Sequence, residues 1–155
     1  DRKQSQNADT VGGFNILGLL PVRTERDFTN GTLIQSSIDY SKTNGDPWLL
    51  EMTGNSYAAV IPIDFKYQGY VYDDTIINHG GLCAGAEITG LVAFNYGGKL
   101  CFWFPRLAYW QGFAIMLTTS HIGYGNAVNR VTLVSDVAKP TDISKVVSLD
   151  NIKYL

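Results

Sequence analysis

Turn-forming residues are the feature of this sequence that most restricts its fold. The chain holds sixteen glycines and five prolines, and clusters of Asn, Asp and Ser recur between its apolar runs. No stretch of about twelve residues keeps a clean helical repeat, whereas short alternating or apolar runs are frequent. The sequence therefore predicts an all-β fold.

The clearest strand lies within residues 60–73, where apolar and polar side chains alternate. One face of this segment carries Ile61, Ile63, Phe65, Tyr67 and Val71, and the other carries Asp64, Lys66, Gln68, Tyr70 and Tyr72. Successive side chains of a strand point to opposite faces of its sheet. We therefore expect the first set to lie in the core and the second to face water or a subunit interface.

Further strands are predicted over residues 32–41, 48–53, 87–95, 99–104, 113–118, 128–135 and 145–151. The third and fourth of these flank Tyr96-Gly97-Gly98, where glycine supplies the positive φ that a tight hairpin needs. About eight short strands at this spacing, without an internal repeat of fixed period, favour an antiparallel β-sandwich over a solenoid or a propeller. Residues 1–10 are polar and aperiodic, so we expect a linker or lead-in segment there and one β-sandwich domain over residues 11–155.

Composition and charge exclude two classes of partner. The formal net charge is −2, the basic residues are spread along the chain, and charged residues make up only 17% of it. No basic patch suited to a nucleic acid results, and no apolar run approaches the roughly 20 residues of a membrane helix. We expect no nucleic-acid partner and no membrane insertion. The low charge leaves room for a subunit interface, and the start at Asp1 suggests a piece of a longer protein.

The two cysteines, Cys83 and Cys101, lie in apolar or glycine-rich surroundings. One bridge between them is the alternative, but each has the surroundings of a small buried hydrophobe. We predict two free thiols, which suits assembly in a reducing cytoplasm.

Patterns for nucleophilic catalysis and metal binding are weak. The chain has no Gly-x-Ser-x-Gly elbow, and His79 and His121 lie in unlike loops. Cys83 follows His79 by four positions, but no second pair of ligands stands nearby to complete a tetrahedral site. We therefore predict no catalytic residue, no metal ion and no cofactor.

Two further patterns resemble chemical sites only in part. Asp73 and Asp74 offer two carboxylates, but adjacent residues on an extended chain point apart, whereas a glycosidase needs carboxylates on opposite sides of a sugar ring. We predict that they form a turn or are solvated. Gly80, Gly81 and Gly85 are followed by no Lys and open no helix. They fit a bend at which backbone passes close to backbone.

Aromatic residues beside turns are the main indication of binding. The chain has nine Tyr, seven Phe and three Trp, and an exposed ring offers a flat apolar face to a sugar, whose hydroxyls then need polar partners. Trp48 and Trp103 lie within apolar strands, and we expect them and Trp110 to pack in the core or at a subunit contact. The predicted receptor-binding residues are Arg106, Tyr109, His121, Tyr124 and Asn126, with Tyr124 equally able to pack at such a contact.

Three motifs, in their order along the chain, resemble distal domains of bacteriophage tail fibres. They are VYDDTIIN at 71–78, LCFWFP at 100–105 and YWQGF at 109–113. The resemblance runs from about Trp48 to the C-terminus, where NIKYL at 151–155 is similar to the residues that precede a self-cleaving chaperone domain. The chain departs from needle-like and adhesin-type fibre tips, because it has neither His-x-His repeats nor long glycine-rich recognition loops.

The resemblance implies a non-catalytic homotrimer that recognises a bacterial surface polysaccharide, of O-antigen type, or an outer-membrane receptor. Its place would be the virion, in a side or L-shaped tail fibre of a siphophage, after assembly in the host cytoplasm. The resemblance carries no binding residues across, because the receptor loops of these fibres vary. Three alternatives stay open: a carbohydrate-binding module of a larger enzyme, a fragment of a polysaccharide depolymerase, and a structural spacer or collar domain.

Overall fold

Strands make up most of the chain in the computed structural model, which describes residues 10–11, 14–25, 27–41, 43–57, 59–119 and 128–155. A short 3-10 helix, Ile16–Leu19, lies between the second and third strands. The strands are β1 (Thr10–Val11), β2 (Phe14–Asn15), β3 (Val22–Arg23), β4 (Thr32–Ser36), β5 (Asn44–Asn55), β6 (Pro62–Tyr72), β7 (Thr75–Gly85), β8 (Val92–Tyr96), β9 (Lys99–Phe104), β10 (Gly112–Thr119), β11 (Val131–Asp136), β12 (Ser144–Ser148) and β13 (Ile152–Tyr154).

Two main sheets form the sandwich. The six-stranded sheet has the order β13-β7-β6-β5-β10-β3, and the five-stranded sheet has the order β11-β4-β9-β8-β12. Every pair is antiparallel except β13 with β7, while β1 and β2 form a small separate ribbon. The five-stranded sheet contributes Ile34 and Phe102 to the core, and the six-stranded sheet contributes Leu50, Phe65 and Ile115. The predicted all-β sandwich is therefore confirmed.

β6 shows the alternation that the sequence predicts. Phe65, Tyr67 and Val71 are fully buried, while Lys66 and Gln68 are exposed and Tyr70 is partly exposed. The prediction that Ile61 joins this core face is wrong, because its side chain is 46% exposed. The strand begins only at Pro62, and Val60 before it has a φ of 57°. This left-handed backbone is rare for a β-branched residue and turns the chain before the sheet begins.

β7 is the longest strand that the sequence does not predict. Gly80 and Gly81, expected to form a bend, lie within it and pair with β6. A Cβ at Gly81 would collide with the backbone carbonyl of Lys66 and the ring of Tyr67. The expectation that backbone passes close to backbone here is thus confirmed, but the passage occurs inside a sheet.

Two tight hairpins close on pairs of residues with positive φ. Gly97 (61°) and Gly98 (83°) join β8 to β9, as predicted. Asp73 (50°) and Asp74 (62°) join β6 to β7, and the paired residues on either side are Tyr72 and Thr75. Because both central residues have positive φ, each turn matches the twist of its strands. The two aspartates therefore form a turn, as predicted.

Several strand boundaries differ from the prediction. β4 ends at Ser36, where the Ser36 hydroxyl bonds the Leu100 carbonyl oxygen and accepts from the Ile38 amide. β8 begins only at Val92, after Gly90, whose φ of 72° marks a turn. Polar side-chain contacts and left-handed glycines thus end regular pairing inside runs that look continuous in sequence.

The five-stranded sheet also buries side chains on its outer face. Leu33, Phe94 and Cys101 form a small cluster, against which Trp103 and Ile143 pack. The Trp103 indole Nε1 donates to the carbonyl oxygen of Val137 at 2.9 Å, which ties this cluster to the segment after β11. Cys101 and Cys83 are both buried free thiols that form no disulfide, as predicted.

Candidate functional site

Two loops at one end of the sandwich bring exposed rings together. Residues 56–61 join β5 to β6, and residues 105–111 join β9 to β10. Tyr57 is 70% exposed, Tyr109 54% and Trp110 44%. These three are most of the exposed Tyr and Trp side chains in the described part of the chain, the others being Tyr72 and Tyr154. We call Tyr57, Tyr109 and Trp110 the aromatic cluster.

The rings of the aromatic cluster meet at an angle. The centroids of Tyr57 and Tyr109 are 5.8 Å apart with their planes at 82°, and those of Tyr109 and Trp110 are 5.9 Å apart at 59°. Edge-to-face contact of this kind is the favoured arrangement of aromatic pairs. The cluster therefore presents ring faces in more than one direction.

Polar contacts fix the loop that carries Tyr109 and Trp110. Arg106 binds the carboxylate of Asp27 through Nε and Nη2, each at 3.0 Å, and its Cζ lies 5.9 Å from the Tyr109 ring centroid. Gln111 closes the loop from within, because its Oε1 accepts from the Ala108 amide at 2.7 Å and its carbonyl oxygen from the Asp27 amide at 3.1 Å.

Trp110 itself has a φ of 54°. A left-handed backbone is uncommon for a residue with a large side chain and costs free energy. The contacts of Arg106 and Gln111 are the structural means by which the loop holds this conformation.

A groove of about 470 Å³ runs beside the aromatic cluster. Its lining combines aromatic walls with polar groups, and the residues are Arg23, Thr24, Asn55, Ser56, Tyr57, Trp110, Gly112 and Phe113. A second, shallower depression of about 710 Å³ lies on the other side of Tyr57, and Val60, Ile61 and Pro62 make its lining mainly apolar.

The groove combines groups that could contact a sugar. Ring faces can stack on the apolar face of a sugar, while amide, hydroxyl and guanidinium groups can bond its oxygens. No Asp or Glu is among the described residues that line it. Nor do three or more His, Cys, Asp and Glu side chains gather anywhere within the described ranges in a way that could hold a metal ion. No described helix is long and apolar enough to cross a membrane.

The structure brings together two of the five predicted receptor-binding residues. Arg106 and Tyr109 lie side by side in the 105–111 loop, whereas His121, Tyr124 and Asn126 fall outside the described residues. Asp27 engages Nε and Nη2 of Arg106, so the ion pair positions the guanidinium beside the Tyr109 ring, and the receptor-binding role of Arg106 stays a prediction.

Sequence reasoning did not identify three residues of the site. The sequence patterns do not indicate Tyr57 and Arg23, and they predict that Trp110 packs in the core or at a subunit contact. The core alternative is wrong, since Trp110 is 44% exposed. By contrast, Trp48 is 2% exposed and packs edge-on against Phe102, as predicted. The turn segment Asn-Ser-Tyr at 55–57, an aromatic directly after a strand, was the available signal for Tyr57.

Comparison with known proteins gives a similarity in fold. No protein-family model and no curated protein matches the chain. Among solved structures it is similar to Pantoea stewartii WceF, described as a glycan biofilm modifying enzyme with a bacteriophage tailspike-like parallel β-helix fold. The TM-score is 0.55 at 12% identity, and the match covers 85% of this chain but only 22% of that one.

The chain thus spans about a fifth of the length of that protein. At 12% identity the likeness is one of fold alone, and the sheets here are antiparallel apart from the β13–β7 pair. The comparison supports, in coarse terms, the phage tail-type fold that the sequence motifs predict.

Proposed function

We propose that this chain is a non-catalytic receptor-binding domain of a phage tail protein, which binds bacterial surface polysaccharide at the aromatic cluster. One observation carries the proposal: Tyr57, Tyr109 and Trp110 are exposed together beside a groove with polar walls. The coarse fold similarity to a tailspike-like protein described as glycan-modifying agrees with it.

The exposure of three large rings at one place is itself an indication of binding. A soluble domain gains nothing from placing three large rings in water at one end, whereas a contiguous exposed apolar patch marks an interaction site. Stacking on a sugar face covers these rings, and the neighbouring Asn55, Ser56 and Thr24 offer the hydrogen bonds that give orientation.

The proposal includes assembly as a homotrimer, in a virion tail fibre formed in the host cytoplasm. The outer face of the six-stranded sheet offers a surface for it. Tyr70 stacks on Tyr72 at 6.2 Å, Tyr72 is 50% exposed, and Leu82 on β7 is 46% exposed. Glu51 and Lys66 pair across this face, so their opposite charges offset each other. Three linked copies would strengthen a weak sugar contact through effective concentration.

Light scattering tests the assembly. A trimer has a mass of about 51 kDa, three times the 17.1 kDa of one chain. We expect Leu82→Lys to reduce that mass towards 17 kDa, because it places a second ammonium opposite Lys66 on a surface that a trimer would bury, and a buried unpaired charge is costly. A wild-type mass near 17 kDa would contradict the trimer and favour a monomeric carbohydrate-binding module.

A panel of purified bacterial surface polysaccharides tests the function. We expect the intact domain to bind at least one of them, and Trp110→Ala to weaken that binding by about tenfold, equivalent to about 1.4 kcal/mol. Leu133→Ala is the matched control, because Leu133 is 53% exposed on β11 in the other sheet. Equal loss in both variants, or none in Trp110→Ala and Tyr57→Ala, would overturn the assignment of the site.

A depolymerase fragment is the second candidate, because the similar solved structure is described as a glycan-modifying enzyme. Release of new reducing ends from a bound polysaccharide separates the two functions. We expect no release, since the described groove residues include no carboxylate to act as acid or nucleophile.

A further inference from the structure

The groove beside the aromatic cluster carries a single charge among its described lining residues. Arg23 is cationic, while Thr24, Asn55 and Ser56 are neutral and no carboxylate lines the groove. A cation in a groove whose described lining holds no carboxylate creates a local positive potential that attracts an anionic group.

Arg23 has no carboxylate of this chain as a partner within the described residues. Three other cations do: Arg106 pairs with Asp27, Lys99 with Asp39 and Lys145 with Asp74. Arg23 is exposed, and no ion pair engages it in the described part of the chain. Among the described residues, none competes with a ligand for its five N–H donors.

The backbone of Arg23 is held firmly on both sides. Its neighbour Val22 pairs with Ile115 of β10 and packs against the core. Thr24 exchanges two hydrogen bonds with Phe113: its amide donates to the Phe113 carbonyl oxygen and its Oγ1 accepts from the Phe113 amide, both at 2.9 Å. A guanidinium on such a fixed segment loses less freedom when it binds than one on a loose loop.

The floor of the groove is open. A Cβ placed on Gly112 would meet only the Thr24 Oγ1, at 3.9 Å. A bound ring can thus approach the backbone of β10 between Tyr57 and Trp110. The volume of about 470 Å³ lies within the range of small-ligand sites, roughly 300–1,000 Å³.

We infer that this groove binds an acidic sugar of the polysaccharide, with the Arg23 guanidinium pairing with the sugar carboxylate while Trp110 or Tyr57 covers the sugar ring. The planar guanidinium matches a carboxylate through two parallel hydrogen bonds. The inference rests on the proposed function and adds to it the class of sugar: a uronic-acid type rather than a neutral hexose.

Titration of the intact domain with sodium glucuronate and with glucose, followed by NMR, tests this inference. We expect glucuronate to bind about tenfold more tightly than glucose and to shift the Gly112 amide, because charge-assisted hydrogen bonds are stronger than those between neutral groups. Arg23→Gln should bring the two affinities to near equality, and Arg23→Lys should restore part of the preference. Gly112→Val should weaken both sugars, because its side chain would fill the floor.

Three results would overturn the inference. Equal affinity of the wild type for glucuronate and glucose would contradict the preference for an acidic sugar. Polysaccharide binding at the rings would be unaffected by that result. Inorganic phosphate that competes as well as glucuronate, in a manner lost in Arg23→Gln, would indicate a simple anion site. An unchanged preference in a folded Arg23→Gln variant would place the charge recognition elsewhere. A failure of the proposed function would be a separate result, in which the intact domain binds no polysaccharide of the panel.

Discussion

Arg106 and Asp27, 79 residues apart in sequence, form a two-pronged ion pair in which Nε and Nη2 each lie 3.0 Å from a carboxylate oxygen. The pair joins the segment after β3 to the loop that carries Tyr109 and Trp110. Since Arg23 lies in β3, four residues before Asp27, the pair links the loop of the aromatic cluster to the segment that follows the cation of the proposed site.

Asp27→Asn should weaken polysaccharide binding while changing the free energy of unfolding only slightly. Because the pair is partly exposed, we expect the free energy of unfolding to fall by less than about 1 kcal/mol. Polysaccharide binding should fall several-fold, because the loop loses the contact that orients Tyr109. Asp39→Asn is the control, since it breaks the exposed pair with Lys99 beside the β8–β9 hairpin. Equal binding by both variants would show that the Arg106 contact does not position the rings.

Gly69→Ala should destabilise the sandwich. A Cβ at Gly69 would collide with the ring of Trp48, which is 2% exposed and packs against Phe102. Overpacking of this kind costs about 1–3 kcal/mol. Gly112→Ala is the matched strand control, since its Cβ meets open space, and we expect its stability to stay close to the wild type. Urea denaturation measures both, and equal midpoints would contradict the steric argument.

Alkaline pH should destabilise the fold through Tyr40. Burial, helped by the charge of Asp74, raises the pKa of Tyr40 to about 12, whereas an unfolded tyrosine ionises near pH 10. Between these pH values the unfolded chain has lost a proton that the folded chain retains. The contribution of Tyr40 is therefore fully present below about pH 10 and is lost as pH rises towards about 12.

Tyr40→Phe should reduce this alkaline loss, as followed by urea unfolding at about pH 8 and about pH 11. The Tyr40 Oη is buried without a hydrogen-bond partner among the described residues, so the variant should also be at least as stable as the wild type at neutral pH. Tyr67→Phe is the contrast, because it removes a 2.6 Å hydrogen bond to His79 Nδ1. A neutral-pH loss in Tyr40→Phe as large as that in Tyr67→Phe would contradict the prediction.

Both thiols should be unreactive towards disulfide reagents in the folded domain. Cys83 and Cys101 are each 1% exposed, and burial raises the pKa of both. Thiolates are the reactive species, so a disulfide reagent at neutral pH should label neither cysteine until denaturant is added, and then both. Rapid labelling of the folded protein would show that one of the two sites opens easily.

Alternation made some strands predictable and glycine hid another. β6 and β10 bury every second side chain, so their apolar pattern appears directly in the sequence. In β7, His79, Gly80, Gly81 and Gly85 interrupt that pattern. At Gly81 and Gly85 an added side chain would collide with the backbone of β6. Glycine is therefore needed because of the neighbouring strand, which the local sequence does not show.

The candidate site was predictable only where it is local. Tyr109 lies in a turn beside Arg106, so sequence alone indicates an exposed ring with a cation near it. Arg23 and Asn55 reach the same groove through long-range pairing, Arg23 with Ala114 and Asn55 with Gly112. The pairing of β10 with β3 and β5 determines which of these residues lie close together. The spacing of residues along the chain does not reveal this pairing.

The interior position of β4, between β11 and β9, has a consequence for synthesis of the chain. Its residues Thr32 to Ile34 pair with Phe102 to Phe104 on one side and with β11 on the other. About 70 residues separate it from the first of these partners. At about 5–20 residues per second, a ribosome needs roughly 4 to 14 s to deliver β9. During that interval the backbone of β4 has no native strand to pair with. A pause in translation before β9 should therefore prolong the time in which β4 can associate with non-native partners.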